Sequence, residues 1–314
     1  MLPWETWRQQ AQSPVRLPSG GEIDVNRGAG QGEPDGPLKT AVVLGNCLIK
    51  THAECDAKGV GPWADAWFID DGQIVCGPHQ VDAILSTLDK HLNEAGASRG
   101  SLKAGNEIKS TVRRLGPPTQ VIFSDHTLDT CKITPLDEPC KILGGELGGI
   151  DHLQDRWSAM STKLNNLHEA IGQIDHAPTE FTLKSACADI SKATYTLRLH
   201  GDQIPDSTLD AVTTVLRSSL GATLGSALSD NSWLQSTCSL KEGGMGFRTP
   251  VEVALLAFVS SRIIARPGAR AFFEQLENTG LAQAGLLQAA YDNRTTQAVD
   301  RLLTSCDSDV PLQD

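Results

Sequence analysis

The spacing of apolar residues along the chain changes near residue 150. Before that point, stretches with helical spacing alternate with short apolar runs that are typical of β-strands. After it, nearly every apolar stretch repeats with the period of a helix. The pattern predicts an α+β first half and an all-α second half. Helices of the second half are expected at roughly 151–172, 178–199, 205–228, 250–266 and 268–304, with an interruption at Pro267.

Three elements of the first half are defined by their flanking residues. A helix is expected from Pro37 to Cys55, because a proline suits the first turn of a helix. Residues 64–70, "ADAWFID", predict a strand that returns as "QIVCG" (73–77) after a tight Asp-Gly turn. A second helix should follow Pro78 and end near Gly96.

The remaining stretches of the first half carry weaker signals. "TQVIFSD" (119–125) and "CKILGGELGG" (140–149) have the composition of short strands. Residues 12–38, rich in Gly, Pro and Ser, predict a loop. The chain therefore divides into an N-terminal segment with a glycine-rich loop (1–36), a mixed region (37–150) and a helical region (151–314).

Composition and charge narrow the class of protein. The chain has 314 residues, of which 39% are hydrophobic and 21% charged, as in globular proteins. No stretch approaches the roughly 18 apolar residues of a membrane span, and the start lacks the apolar core of a signal peptide. We expect an intracellular protein, nuclear or cytoplasmic, without a membrane partner. The eight cysteines form no Cys-x-x-Cys pair, which predicts reduced thiols.

The net charge of −11 is spread over both halves of the chain, with 14 and 13 basic residues against 19 acidic residues in each half. Neither half is therefore a basic domain that holds nucleic acid by charge alone. Local exceptions are possible at residues 103–114, with four basic residues against Glu107, and at Arg262, Arg266 and Arg270, which recur every four residues. The arginines would be phosphate contacts or, as the net charge favours, an ordinary solvated face.

Asp70 and Asp71 stand together at the end of the apolar run "WFIDD". An Asp-Gly turn explains one aspartate, because both residue types tolerate positive φ. It does not explain the second, which adds like-charge repulsion. Two carboxylates on a stiff hairpin are also the ligands that a hard divalent cation prefers, and such cations drive nucleotidyl transfer. Turn chemistry and a metal site are both open at this point.

Five short motifs resemble, in the same order, those of reverse transcriptases of retrotransposons. "QGEPDGP" (31–37) resembles the Gln-Gly-Asp/Ser-Pro-x-x-Pro motif, and "FIDDG" (68–72) resembles the Tyr-x-Asp-Asp hairpin. "GNEIKS" (105–110) is similar to an Asn-x-x-Lys-Ser/Thr segment, and "KILGGELGG" (141–149) to the Leu-Gly turn of the primer grip. "GGMGFR" (243–248) resembles a block that follows the thumb in such elements.

The resemblance implies a fold and an activity. The fold would be a partial polymerase palm, a β-hairpin with helices, at 37–150 and an all-α thumb-like region at 151–314. The complete protein would be a non-LTR-like RNA-directed DNA polymerase, a nucleotidyltransferase that uses Mg²⁺ or Mn²⁺. Its partners would be an RNA template, a DNA primer (an RNA–DNA hybrid) and a dNTP.

The resemblance also implies roles for individual residues. Asp70 and Asp71 would bind the metal, and Lys109, otherwise an ordinary loop lysine, would assist the leaving pyrophosphate. The other implied sites are the nucleotide site with Gln31, Gly32 and Phe68, the primer grip with Leu143 and Gly144, and the nucleic-acid contacts Lys103, Arg113 and Arg114.

Parts of the family pattern are not matched. Two-metal catalysis needs a further aspartate, which the family supplies upstream of the Gln-Gly motif. About thirty residues precede Gln31, and their one aspartate, Asp24, does not follow an apolar strand. Glu33 and Phe68 replace the family's Asp or Ser and its Tyr. We therefore expect a fragment that is inactive by itself.

Two alternatives stay open. The first is a non-catalytic helical binding or scaffold protein derived from a reverse transcriptase. The second is a nucleotide-binding enzyme with a loop built on Gly28, Gly30 and Gly32. The second is disfavoured, because an apolar strand before the loop and a Gly-Lys-Ser/Thr sequence are both missing.

Overall fold

The structure, a computed structural model, describes residues 13–16, 22–25, 36–69, 71–99, 110–113, 121–135, 138–142 and 145–308. The strands are β1 (Ser13–Arg16), β2 (Glu22–Val25), β3 (Ala64–Phe68), β4 (Asp71–Val75), β5 (Thr111–Arg113), β6 (Lys132–Thr134), β7 (Cys140–Ile142) and β8 (Gly145–Leu147). The helices are α1 (Gly36–Ala57), α2 (Val81–Glu94), α3 (Asp125–Thr130), α4 (Ile150–Gly172), α5 (Ala177–Cys187), α6 (Ser191–His200), α7 (Asp206–Leu224), α8 (Asp230–Thr237), α9 (Pro250–Asn278) and α10 (Ala284–Ser308).

The described strands form four two-stranded sheets. Three are antiparallel pairs of consecutive strands, β1–β2, β3–β4 and β7–β8, whereas β5 and β6 pair in parallel with α3 between them. The protein is thus mixed α+β and mostly helical, which confirms the predicted class at that level.

The chain divides into two compact units. The first comprises Met1–Leu136 and Glu274–Gln283, and the second comprises Asp137–Phe273 and Ala284–Asp314. The division falls before β7 and β8, whereas the change of sequence pattern lies near residue 150. The stretch "CKILGGELGG", predicted to contain a short strand, forms the β7–β8 hairpin, which belongs to the helical unit.

The core of the first unit lies between α1, α2 and the β3–β4 hairpin. Apolar side chains of the two helices pack together and against Trp67 and Ile74 of the hairpin; they are Leu44, Cys47, Leu48, Leu88 and Leu92. A smaller cluster of Cys55, Trp63 and Ile84 continues this contact. A two-stranded hairpin is at best marginally stable alone, so its contact with α1 and α2 stabilises it.

The core of the second unit is built by α4, α6 and α7 with residues from the α8–α9 segment. Its fully buried side chains include Trp157, Leu197, Val212 and Leu216. A separate cluster of Phe258, Val259 and Ala298 joins α9 to α10. The period of these apolar residues predicted the helices, because each helix buries one stripe of its surface.

Two predictions for the first unit are wrong. Residues 12–38 are not all loop, since β1 pairs with β2. The loop was predicted from the many Gly and Pro residues of this stretch, and that composition gives no sign of the two four-residue strands. Residues 121–124 of "TQVIFSD" are not a strand. Ser124 instead caps α3, where its hydroxyl accepts a hydrogen bond of 3.3 Å from the Thr127 N–H.

Two predicted helix boundaries in the second unit are also wrong. The helix expected at 178–199 is split into α5 and α6, because the Asp189 carboxylate accepts a hydrogen bond of 2.8 Å from the Ser191 N–H. Pro267 lies inside α9 and does not end it. The helix continues because it packs against α10 on both sides of the proline, through Phe258 and through the edge contact of Phe273 with Tyr291.

Candidate functional site

One face of the β3–β4 hairpin packs on α1 and α2. It carries Asp65 and Trp67 of β3, which pair with Ile74 and Gly72 of β4. The Trp67 ring covers Gly72 so closely that an added Cβ would lie 2.1 Å from the ring atom Cε3. Gly72 therefore serves the packing of the tryptophan within the sheet.

The turn of the hairpin lies earlier than predicted. Phe68 pairs with Asp71, so the strands are joined between these two residues; Asp70 lies outside the described residues. The predicted turn at Asp71-Gly72 is wrong, because the glycine is needed beneath the Trp67 ring. Ile69 has a φ of 58°, in the left-handed region that a β-branched residue rarely enters. Such strain costs on the order of 1–3 kcal/mol and is concentrated at functional sites.

Asp65 ties the base of the hairpin to α1. Its Oδ1 lies 3.0 Å from His52 Nε2, and its Oδ2 accepts a hydrogen bond of 2.6 Å from the Trp67 indole N–H. The His52 ring stacks on Trp63 with 3.8 Å between ring centroids. These contacts compensate for the lost hydration of a carboxylate that is only 12% exposed.

Sequence reasoning missed the contact between His52 and Asp65. The two residues are 13 positions apart and meet only because α1 packs on β3. The one local signal is the Asp-x-Trp spacing of residues 65–67, which puts the carboxylate and the indole on the same face of a strand.

The open face of the hairpin presents Phe68 and Asp71 side by side. They are a cross-strand pair, and the Cβ atoms of such pairs lie about 4.5–5.5 Å apart. Phe68 is 64% exposed, and Asp71 is also exposed. The next pair on this face is Ala66 with Gln73, whose small and flexible side chains leave the face open. The tip thus combines a carboxylate with an apolar ring on an accessible surface.

The structure describes three of the predicted site residues, namely Phe68, Asp71 and Arg113. Phe68 and Asp71 are brought together, whereas Arg113 is half-buried at the end of β5 and already engaged in a contact. The other predicted residues lie outside the described residues: Gln31, Gly32, Asp70, Lys103, Lys109, Arg114, Leu143 and Gly144.

Within the described ranges, no group of three or more His, Cys, Asp or Glu side chains is arranged to hold a metal ion. Asp71 contributes a carboxylate to the open face of the hairpin. Asp70 precedes it in the sequence and lies outside the described residues. Carboxylate oxygens are the ligands that Mg²⁺ and Mn²⁺ prefer.

An electrostatic cluster holds α1 to α2 beside the hairpin. Glu54 accepts hydrogen bonds of 2.6 Å from Lys58 and 2.7 Å from Lys90, and its Oε2 lies 3.0 Å from His91 Nε2. The hydrogen bonds from the two lysines lower the pKa of Glu54 to about 2. The carboxylate is therefore ionised across the neutral range and joins the two helices that support the hairpin.

Two of the three arginines of α9 contact α10. Because α9 is continuous, Arg262 and Arg266 lie on one helix, but both contact α10. The Arg262 guanidinium lies 3.3 Å from the Tyr291 ring centroid and donates a 2.7 Å hydrogen bond to the Tyr291 carbonyl. Arg266 pairs with Asp292 at 3.1 Å, and Arg270 is also engaged. The expectation of a solvated face is wrong for the half-buried Arg262.

The segment "GGMGFR" is fixed to α8 by its backbone. Gly243 and Gly246 have φ values of 79° and 73°, and a Cβ at Gly244 would lie 2.0 Å from the Cys238 carbonyl oxygen. Phe247 is buried and its ring lies 6.5 Å from that of Trp233. Each glycine therefore has a conformational or packing reason to be glycine.

No protein-family model, curated protein or solved structure matches the chain. Among the helices of the described ranges, none combines the length and the apolar character that crossing a membrane requires.

Proposed function

We propose that this chain is a portion of a retroelement reverse transcriptase, an RNA-directed DNA polymerase, in which the β3–β4 hairpin binds a catalytic divalent cation. The observation that carries the proposal is the pairing of Phe68 with Asp71 across a turn that strains Ile69. It puts a carboxylate and an aromatic ring on one open face, within the sequence Phe-Ile-Asp-Asp.

The roles follow from the chemistry of the side chains. Asp70 and Asp71 would hold Mg²⁺ or Mn²⁺ through carboxylate oxygens. When bound, such a cation stabilises the attacking and leaving oxygens of nucleotidyl transfer. Phe68 offers an apolar surface on which the sugar or base of a dNTP can pack. The contacts of Asp65 with α1 hold the hairpin in place, as a site of this kind requires.

The remaining roles rest on the sequence resemblance. Gln31, Gly32 and Lys109 would contact the dNTP, and Leu143 with Gly144 would contact the primer end. Lys103, Arg113 and Arg114 would contact the RNA–DNA hybrid. In this proposal residues 37–150 are part of the palm and residues 151–314 are the thumb-like region.

Binding of Mn²⁺, measured by electron paramagnetic resonance, tests the proposal. Asp70→Asn and Asp71→Asn should each weaken binding about tenfold or more, because each removes a charged ligand. Asp56→Asn is the matched control, since Asp56 is an exposed carboxylate of α1 in the same unit. Equal Mn²⁺ affinity in all three variants would contradict the metal hairpin.

Primer extension on an RNA template is a second readout. We expect no extension by this chain alone, because the family's further aspartate is not matched by a motif. Template-dependent extension that Asp70→Asn abolishes would instead show a complete polymerase.

The surface of α1 favours a second candidate, a non-catalytic binding or scaffold protein derived from a reverse transcriptase. Three apolar side chains form an exposed stripe on this helix: Leu38 (67%), Val42 (57%) and Ile49 (69%). The Mn²⁺ titration separates the candidates, since a scaffold does not need the hairpin carboxylates to bind metal.

A further inference from the structure

Helix α1 is apolar on two opposite faces. Its inner face packs on α2 and the β3–β4 hairpin through Leu44, Cys47 and Leu48. The opposite face carries a second stripe at helical spacing, called the outer stripe, which consists of Leu38, Val42, Gly45, Asn46, Ile49 and Ala53. A helix with one face in water normally carries polar residues on that face, and a helix that is apolar all round is normally buried. The outer stripe therefore indicates a partner that covers it.

The large side chains of the outer stripe are accessible. Leu38, Val42 and Ile49 are each more than half exposed. No charged residue belongs to the stripe, and Lys50 is exposed at its border. A contiguous apolar surface bordered by polar residues is typical of a protein–protein contact.

Gly45 lies in the middle of the outer stripe. It is inside a helix of 22 residues, where a glycine costs about 0.5–1 kcal/mol relative to an alanine. No contact among the described residues accounts for it, because an added Cβ would meet no described atom within 4 Å. A glycine at this position lets the backbone of a second helix approach closely, since the distance between packed helices depends on the side chains at the contact.

The outer stripe is complementary to a second copy of itself that runs in the opposite direction. A two-fold axis between Gly45 and Asn46 puts the least bulky part of the stripe at the point of closest approach. Large side chains then meet on both sides of the axis, and a leucine at each end faces a small residue. The facing residues of the two copies are Val42 with Ile49 and Leu38 with Ala53.

Charge also favours the antiparallel direction. In a parallel pair, the Lys50 ammonium groups of the two copies would lie side by side. In the antiparallel pair each Lys50 faces Ala41 of the other copy, nine residues from the position of the second lysine. The two lysines are then about 14 Å apart along the helix axis. That distance exceeds the screening length of about 8 Å at physiological salt, so their repulsion is small.

We propose that the outer stripe of α1 is a self-association surface, on which two copies of this chain pack as an antiparallel helix pair. One helix pair buries less than the roughly 800 Å² per partner of a stable interface, so the dimer should dissociate on dilution. The inference does not rest on the proposed function, because neither the hairpin carboxylates nor a nucleic acid takes part in the contact.

Sedimentation velocity of the full chain over a range of concentrations tests this surface. The average mass should rise reversibly from that of the monomer toward that of the dimer. Ile49→Glu should raise the dissociation constant at least about tenfold, because it buries an unpaired carboxylate in the contact. Gly45→Leu should have a similar effect, since leucine favours the helix but blocks the close approach of the second copy.

Val43→Glu is the matched control. It makes the same kind of change in the same helix, at an exposed residue outside the outer stripe. Its dissociation constant should stay within about twofold of that of the wild type. An equal loss in Val43→Glu and Ile49→Glu would overturn the proposal in favour of a general effect of charge. A wild-type chain that remains monomeric at every concentration would also overturn it.

A charge exchange tests the antiparallel register and does not depend on the folding of any one variant. Val42→Lys and Ile49→Glu should each weaken association. The double variant Val42→Lys/Ile49→Glu should recover it, because the new lysine of each copy faces the new glutamate of the other. A double variant that associates no better than either single variant would overturn the register. Asp71→Asn should leave the dissociation constant unchanged, so failure of the metal hairpin and failure of this surface are distinguishable.

Discussion

The indole ring of Trp67 lies on the backbone of Gly72, its partner on the neighbouring strand, and leaves no space for a side chain there. The same ring is held from its other edge by the hydrogen bond to Asp65. A glycine that sequence rules assign to a turn is therefore a packing residue, and its replacement should affect the whole hairpin.

Gly72→Ala should destabilise the first unit by about 1–3 kcal/mol, because the added methyl group overpacks against the ring. Denaturant unfolding followed by tryptophan fluorescence measures this. Gly45→Ala is the matched control: it lies within α1, and a Cβ there meets no described atom within 4 Å. That change should stabilise α1 by about 0.5–1 kcal/mol. Effects of the same sign at both positions would contradict the contact between Trp67 and Gly72.

Ile69→Gly should stabilise the hairpin by about 0.5–1 kcal/mol, because glycine adopts a φ of 58° without the clash that a β-branched residue suffers. If the strain orders the metal ligands, Mn²⁺ affinity should fall in the same variant. Asp175→Gly is the control, since Asp175 has a φ of 53° but lies in the second unit. Unchanged Mn²⁺ affinity in Ile69→Gly would show that the strain has no role in metal binding.

Glu54 makes the first unit sensitive to acid. Its pKa of about 2 lies below the ordinary value of 4.5, because Lys58 and Lys90 donate hydrogen bonds to the charged form. The stabilisation is complete above about pH 4.5 and is lost as the pH falls through about 2. Unfolding midpoints measured from pH 6 to pH 2 should fall less steeply in Glu54→Gln. An identical pH profile in the wild type and the variant would be inconsistent with this contribution.

Lys184 supports the second unit through a buried polar network. Its ammonium donates hydrogen bonds of 2.7 Å to Thr223 Oγ1 and 3.2 Å to Glu180 Oε2. Lys184→Met should lower the thermal unfolding midpoint, because it leaves the Glu180 carboxylate without its cation. Glu180→Leu/Lys184→Met, which removes both charges, should recover much of the loss. Thermal circular dichroism of the wild type and the two variants measures these midpoints. A double variant no more stable than Lys184→Met would contradict the role of this network.

Helical periodicity predicted the long helices closely, because a helix that packs on a core must repeat its apolar residues. The helix expected at 151–172 is α4, at Ile150–Gly172, and the helix expected to end near Gly96 is α2. The break before Ser191 was not predicted. Both flanking helices bury residues in the same core, so the apolar period continues across a hydrogen bond from the backbone to Asp189.

The candidate site was predicted only in part. The strands and the adjacent carboxylates are visible in the sequence, but the register depends on which residue lies beneath Trp67. The anchor formed by His52 and Asp65 exists only after α1 has packed on β3, and no local pattern encodes it. Likewise, the arginines of α9 follow a regular spacing, but their partners on α10 are set by helix packing.

Pro267 removes one backbone hydrogen bond from the middle of α9. A proline has no N–H, so the carbonyl of Ile263, four residues earlier, receives no hydrogen bond from within the helix. The side chains from Ile263 to Gly268 are all exposed, so water can reach this carbonyl. Although α9 is 29 residues long, transient opening of its backbone should begin near its middle as well as at its ends, where helices usually fray.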